Sequence, residues 1–239
     1  SVREFNVEVN GGTITTVYGN GDTAYIASTE MAQQEGFVPT VDTANITVND
    51  GNITYLYGSG RALTQSNTSA NYSMLTKNVN ININGGTVGY VNGGGFSGPE
   101  AHWGPDSGQD VVTVETAVIT VSGGAIGNLY SGGYNGQWQW TYKLNAEGEL
   151  VFSNYNGTDE TTRSVRNIVE DSTIYVTEGA SITNLYMGGR SYAMTQQATV
   201  YMDGGSVETF STSGSYGYTV NADANISGGA IGTQELGHR

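Results

Sequence analysis

The sequence has no cysteine, three prolines and eight basic residues among 239, and these shortages narrow what the protein can be. No disulfide framework is possible, and a chain of this length buries enough apolar surface to fold without one. Eight Lys and Arg against 22 Asp and Glu give a net charge of −14, which argues against nucleic acids and anionic membranes as partners. No run approaches the roughly 18 apolar residues of a membrane helix, so we expect no membrane insertion.

Glycine is abundant, at 36 residues, and no collagen-like triplet accounts for it. Many of the glycines fall in a unit that occurs seven times, and residues 117–133 are its best-preserved copy. The copies align on one apolar residue that follows the turn. These anchor residues are Ile14, Ile53, Val88, Ile126, Ile182, Val207 and Ile231. The last two intervals between anchors are 25 and 24 residues, which gives the length of the bare unit.

Each unit follows the same order of segments. It begins with a strand of alternating apolar residues, such as Ile119 and Val121, which predicts one buried face. A polar residue and a Gly-rich turn follow. A second strand then carries the anchor and another apolar residue three positions later, as in Ile126 and Leu129, which indicates a bend between two inward residues. A third segment, such as residues 113–116 or 219–222, is expected to lead into the next unit.

The polar residues before the turns occupy one equivalent position, and we expect them to form a hydrogen-bonded ladder inside a corner. They are Asn10, Asn49, Asn84, Ser122, Asp203 and Ser227, with Thr177 as the expected equivalent in the longer fifth unit.

Three short strands in a unit of about 25 residues predict an all-β fold, a single-stranded parallel β-helix of about seven rungs. Neighbouring rungs pair about 4.8 Å apart, and no rung can bury its apolar face alone. This repeat resembles the right-handed parallel β-helices of the pectin-lyase-like superfamily and of bacterial surface adhesins. The resemblance covers nearly the whole chain and implies a right-handed coil. It does not include a catalytic motif that is specific to any one family.

We expect one β-helix domain over residues 1–239, as a fragment of a longer surface protein. The alternative is a native C-terminus with its own cap, because Gln234 occupies an otherwise apolar position. Four insertions leave the unit at the same corner and should gather on one face, which in solenoids often binds ligands. These insertions cover approximately residues 19–38, 58–77, 93–110 and 134–166.

The insertions predict different local structures. Residues 28–36 carry helix-start and helix-stop signals, and residues 61–77 have the polar composition of a loop. Residues 138–142 and 150–152 flank a turn sequence and predict a β-hairpin. The aromatic residues of this hairpin either clamp it onto the β-helix or present an apolar patch to a ligand or partner. They are Trp138, Trp140, Tyr142 and Phe152.

Four tyrosines are the first candidates for ligand binding, because they occupy one equivalent position of four units. They are Tyr18, Tyr57, Tyr130 and Tyr186, with Asn92 and Ser211 at the same position of two other units. If their rings point outward, they form an aromatic ladder on which sugars stack. Alternatively, they stack on one another or turn inward and stabilise the corner.

The third insertion is the most varied chemically. Its candidate residues are Glu100, His102, Trp103, Asp106 and Asp110. Two of the three carboxylates could act as acid and base in glycoside cleavage, or as oxygen ligands of Ca²⁺, while His102 and Trp103 could contact a sugar. The alternative is a solvated acidic loop. Since no spacing matches a metal-binding loop, we expect no metal site and no cofactor, with Ca²⁺ as the one alternative.

Arg61 and Arg190 occupy equivalent positions, and they bear on the resemblance because β-helix lyases use Arg or Lys as a base near bound Ca²⁺. They lie three units apart, roughly 14 Å, and neither has an adjacent carboxylate motif. This departure from the lyase pattern argues against cleavage of a polyanion.

The leading hypothesis is an extracellular or cell-surface bacterial β-helix module that acts in adhesion or glycan binding. Its partner would be a glycan or a host or cell-surface protein, and we expect a monomer. An alternative is a polysaccharide-active enzyme, a glycoside hydrolase or lyase, which would need two carboxylates about 5–9 Å apart in one groove. A third hypothesis is a structural stalk that spaces other domains.

Overall fold

The computed structural model describes residues 1–21, 38–63, 73–98, 111–136, 141–144, 150–153, 160–161, 167–191 and 193–235. All regular secondary structure in these ranges is β-strand, as the alternating pattern predicts. The described ranges hold no helix long and apolar enough to span a membrane. The helix expected at residues 28–36 lies outside them.

Eighteen strands follow one another along the described chain. They are β1 (Val2–Tyr18), β2 (Thr40–Tyr57), β3 (Arg61–Leu63), β4 (Ser73–Ile83), β5 (Thr87–Asn92), β6 (Phe96–Gly98), β7 (Val111–Val121), β8 (Ala125–Tyr130), β9 (Tyr134–Asn135), β10 (Thr141–Leu144), β11 (Leu150–Ser153), β12 (Glu160–Thr161), β13 (Asn167–Val176), β14 (Ser181–Tyr186), β15 (Met194–Met202), β16 (Ser206–Ser211), β17 (Tyr218–Ile226) and β18 (Ala230–Glu235).

Twelve of these strands form one parallel sheet that curls strongly. One arm pairs the first strands of the units in the order β1, β2, β4, β7, β13, β15 and β17. The other arm pairs the second strands in the order β1, β2, β5, β8, β14, β16 and β18. Strands β1 and β2 run through the turn and belong to both arms. This large curled parallel sheet is compatible with the predicted β-solenoid.

The pairing register confirms the alignment of the units. Each anchor residue pairs with the anchor of the next unit, from Ile14 with Ile53 through to Val207 with Ile231. Inward residues such as Ile81 and Ile119 are fully buried between the arms. Because neighbours in each column come from adjacent strands, burial depends on stacking, as expected for a repeat fold.

The segment that leads into the next unit differs from the prediction. Residues 113–116 belong to the same strand as Ile119 and Val121, and residues 219–222 belong to β17. They are therefore not separate third strands. The inward residues Val114 and Ala117 are three apart, so the continuous strand bends between them as the second strand does between its two inward residues.

A separate parallel sheet, called the third sheet because its strands follow the two arms of each unit, forms where the insertions begin, directly after the second strands. It consists of β3, β6 and β9, and single bridges extend it from Tyr134 to Arg190 and from Arg190 to Ser215. The prediction of a loop over residues 61–77 is therefore wrong at both ends. Arg61–Leu63 form a strand of this sheet, and residues 73–77 are the first residues of β4. Backbone pairing with the next unit orders these polar segments despite their loop-like composition.

One glycine stands directly before each strand and each single bridge of this third sheet, and Gly21 holds the equivalent position in the first unit. The column contains Gly21, Gly60, Gly95, Gly133, Gly189 and Gly214. A Cβ on Gly95 would lie 2.4 Å from the carbonyl oxygen of Gly60, and one on Gly60 would lie 2.2 Å from that of Gly21. Glycine is therefore required here because the backbone of each unit packs directly against that of the preceding unit.

The hairpin predicted in the longest insertion is confirmed. β10 and β11 pair antiparallel, with Tyr142 opposite Phe152, and β12 adds a third strand. Trp138 and Trp140 lie outside the described residues, so neither interpretation of them is tested.

Candidate functional site

The predicted tyrosine column has the expected register. Tyr18 pairs with Tyr57 and Tyr130 with Tyr186, and Asn92 lies between the two pairs. The rings stack within each pair, with centroids 5.1 Å apart for the first pair and 4.7 Å apart for the second. Tyr57 and Tyr130 are only 4% and 3% exposed. Their burial and stacking favour the stabilising interpretation, whereas Tyr18 and Tyr186 are half-buried and keep part of their surface accessible.

The third sheet explains why Tyr57 is covered. Phe96 from β6 packs against Tyr57 with ring centroids 5.9 Å apart, and Tyr134 from β9 packs on Phe96 at 5.1 Å. The guanidinium carbon of Arg190 lies 4.3 Å from the ring centroid of Tyr134 and 4.4 Å from that of Tyr90. Arg190 is therefore held by two aromatic faces, a cation–π arrangement.

Burial also changes the acidity of these phenols. Desolvation, with a smaller contribution from Tyr186, raises the pKa of Tyr130 to about 12. Burial, followed by the neighbouring Tyr18, raises the pKa of Tyr57 as well. Each of these two phenols therefore holds its proton more tightly in the folded protein than in the unfolded chain, where the pKa of tyrosine is about 10.

This shift predicts alkaline unfolding with a defined sign. The stabilisation is complete below about pH 10 and is lost as the pH rises through about 12, because the unfolded chain ionises first. We expect urea unfolding midpoints of the wild type to fall steadily over that range. Tyr130→Phe keeps the ring stack without the phenol and should fall less steeply, and parallel slopes for the two proteins would contradict the assignment.

A second tyrosine pair lies on the outer face of the first arm. Tyr175 of β13 pairs with Tyr201 of β15, and their rings stack with centroids 5.3 Å apart at an interplanar angle of 13°. The two side chains are 40% and 43% exposed. Their strand neighbours, Val176 and Met202, point inward and are buried, so alternation forces both tyrosines outward.

These two rings line an open groove of about 480 Å³ that crosses three adjacent strands. The other side of the groove is formed by the corner residues Thr177, Asp203 and Ser227, and Asn225 continues the tyrosine column. The groove thus combines the exposed surface of two stacked aromatic rings with hydroxyl, amide and carboxylate groups that donate and accept hydrogen bonds. Such a combination suits a ligand with an apolar face and hydroxyl edges.

Sequence reasoning missed this pair, although a signal was present. Tyr175 and Tyr201 are the outward residues between two inward apolar residues in consecutive units. Because the fifth unit is one residue longer, the two tyrosines stand seven and six residues before their anchors, Ile182 and Val207, and an anchor-based alignment separates them.

The ladder of polar corner residues is confirmed in the first four units, but on the surface. Asn49 donates its side-chain N–H to Asn10 at 2.8 Å, Asn84 donates to Asn49 at 2.8 Å, and the Ser122 hydroxyl donates to Asn84 at 3.0 Å. All four residues are exposed, which corrects the expected position inside a corner. The Thr177 backbone N–H bonds to the Val121 carbonyl, which confirms Thr177 as the equivalent of the fifth unit.

Two further amide ladders were not predicted. Asn80 donates to Asn45, and Asn45 donates to Asn6, each at 2.8 Å. These three residues each stand four positions before a residue of the corner ladder, a regularity visible in the sequence. On the second arm, Asn184 donates to Asn128 at 3.1 Å.

The candidates of the third insertion are not tested. Glu100, His102, Trp103, Asp106 and Asp110 lie outside the described residues. Within the described part of the chain, no three His, Cys, Asp or Glu side chains are grouped so as to hold a metal ion. The structure therefore adds nothing to the Ca²⁺ alternative.

Comparison with protein-family models, curated proteins and solved structures finds no significant match to this chain. The comparisons therefore give no support for the expected resemblance to pectin-lyase-like proteins and adhesins.

Proposed function

We propose that the chain is an extracellular bacterial module for glycan binding or adhesion, built as a right-handed parallel β-helix of about seven rungs. Its binding site is the groove formed by Tyr175, Tyr201 and Asp203. The observation that carries this proposal is the stacked tyrosine pair, whose two rings stay more than a third exposed on a rigid sheet.

Sugar chemistry fits the lining of this groove. A pyranose ring has an apolar C–H face that packs on an aromatic ring, and hydroxyls around its edge that need hydrogen-bond partners. Asp203, Asn225 and Thr177 supply such partners beside the rings. Because the tyrosines are fixed on paired strands, little ordering is needed when the ligand binds, which favours affinity.

Binding is better supported than cleavage. Asp203 is the single carboxylate among the residues that line the groove, all of which belong to the described part of the chain. Hydrolysis of a glycoside in the usual way requires a pair of carboxylates. A polyanion lyase is also poorly supported, since the guanidinium of Arg190 lies over the rings of Tyr90 and Tyr134.

The test combines a screen with a map of the site. The fluorescently labelled protein is applied to an array of bacterial, plant and animal glycans. The best soluble oligosaccharide is then titrated into ¹⁵N-labelled protein. We expect the amide shifts to change around Tyr175, Tyr201 and Asp203. An array without any bound glycan, or shift changes confined to other surfaces, would overturn the proposal.

A further inference from the structure

The groove is one end of two straight columns that run along the stacked strands. In the first column, Tyr201 pairs with Tyr175, Tyr175 with Thr120, Thr120 with Asn82, Asn82 with Thr47 and Thr47 with Glu8. The second column is the corner series. In chain order it comprises Asn10, Asn49, Asn84, Ser122, Thr177, Asp203 and Ser227. Since neighbouring strands lie about 4.8 Å apart, the two columns form a track roughly 30 Å long.

The amide of Asn84 in this track has free hydrogen-bonding capacity. A side-chain amide has two N–H donors and an oxygen that accepts twice. Asn84 uses one N–H toward Asn49 and accepts one hydrogen bond from Ser122. The ladder thus leaves a donor and an acceptor on this exposed amide for a ligand hydroxyl, while it fixes the orientation of the side chain.

The charge of the track selects the ligand. Glu8 and Asp203 place a carboxylate near each end, and none of the residues in either column is Lys or Arg. The chain as a whole has a net charge of −14. A chain of uronic acids or sulfated sugars would meet like charge near both ends of the track, whereas an uncharged chain would not.

We infer that the ligand is an uncharged, unbranched polysaccharide lying along the stack of strands, with one segment on Tyr175 and Tyr201 and the next on the amide track. This inference rests on the proposed function and adds the charge, the length and the direction of the ligand. It predicts a footprint that extends beyond the groove toward Ser122 and Asn84.

Isothermal titration with defined oligosaccharides tests it. The probes are the disaccharides and hexamers of β-linked glucose and of β-linked N-acetylglucosamine, and the hexamer of galacturonic acid. We expect one uncharged hexamer to bind at least about tenfold more tightly than its disaccharide, and the galacturonate hexamer not to bind. Asn84→Ala should weaken the hexamer roughly threefold to tenfold and leave the disaccharide unchanged.

Two variants complete the design. Asn78→Ala removes an exposed amide of β4 outside both columns and should change neither affinity. Asp203→Asn should improve the binding of the galacturonate hexamer, because it removes like charge from the groove. Equal affinities for disaccharide and hexamer, or preference for the galacturonate hexamer, would overturn the inference and leave glycan binding intact. No binding of any probe would count against both the inference and the proposed function.

Discussion

The double variant Tyr175→Ala/Tyr201→Ala should lose glycan binding while the protein stays folded. Each ring offers apolar and stacking contact worth about 1–2 kcal/mol, so the loss of both corresponds to roughly a 30- to 1,000-fold weaker affinity. Because both side chains point to solvent from strands whose inward residues are intact, the unfolding midpoint should change little. Titration calorimetry with the best oligosaccharide measures the effect.

Tyr216→Ala is the matched control for this variant. Tyr216 is the most exposed of the large hydrophobic residues described, at 71%, and it does not line the groove. The Tyr216→Ala variant should therefore bind the oligosaccharide as tightly as the wild type does. If Tyr216→Ala and the double variant lost affinity equally, any exposed tyrosine would suffice and the groove would not be the site.

Gly95→Ala should destabilise the protein strongly, and the reason is steric. The added Cβ would lie 2.4 Å from the Gly60 carbonyl oxygen and 2.7 Å from a methyl group of Val112. The backbone of one unit must then move away from the next, in the middle of the stack. Overpacking of this kind costs about 1–3 kcal/mol, and the rigid carbonyl places it at the upper end.

Gly21→Ala provides the control in the same column. Gly21 belongs to the first unit, and a Cβ there meets no atom of the described residues within 4 Å. Its replacement should be neutral or stabilise by up to about 1 kcal/mol, because alanine restricts the unfolded chain. Urea unfolding of both variants measures the difference. Equal stabilities of the two variants would show that the close contact between units does not explain why glycine recurs at this position of each unit.

The framework could be predicted because it depends on local pattern. Alternation places Ile119 and Val121 inward, and alignment on the anchors gives the pairing of Tyr130 with Tyr186. The turn sequence between β10 and β11 likewise specified a hairpin. In a parallel stack, a position repeated in each unit becomes a column, so the repeat itself encodes tertiary contacts.

The accessibility of the tyrosines could not be predicted in the same way. Tyr57 and Tyr175 each stand next to an inward residue, Leu56 and Val176, so simple alternation would turn both tyrosines outward, yet one is buried and the other exposed. The difference comes from β6, whose Phe96 covers the first ring from a segment with the composition of a loop. The contact of Arg190 with the ring of Tyr134 could not be predicted from the sequence either, since it depends on how neighbouring units pair in the third sheet.

The most direct measurement of the central claim is a crystal structure of the protein with the oligosaccharide that binds most tightly. We predict a sugar ring packed against the exposed surface of the Tyr175–Tyr201 stack, with a hydroxyl about 2.5–3.0 Å from a carboxylate oxygen of Asp203. Density for the oligosaccharide at another surface, with this groove empty, would contradict the account.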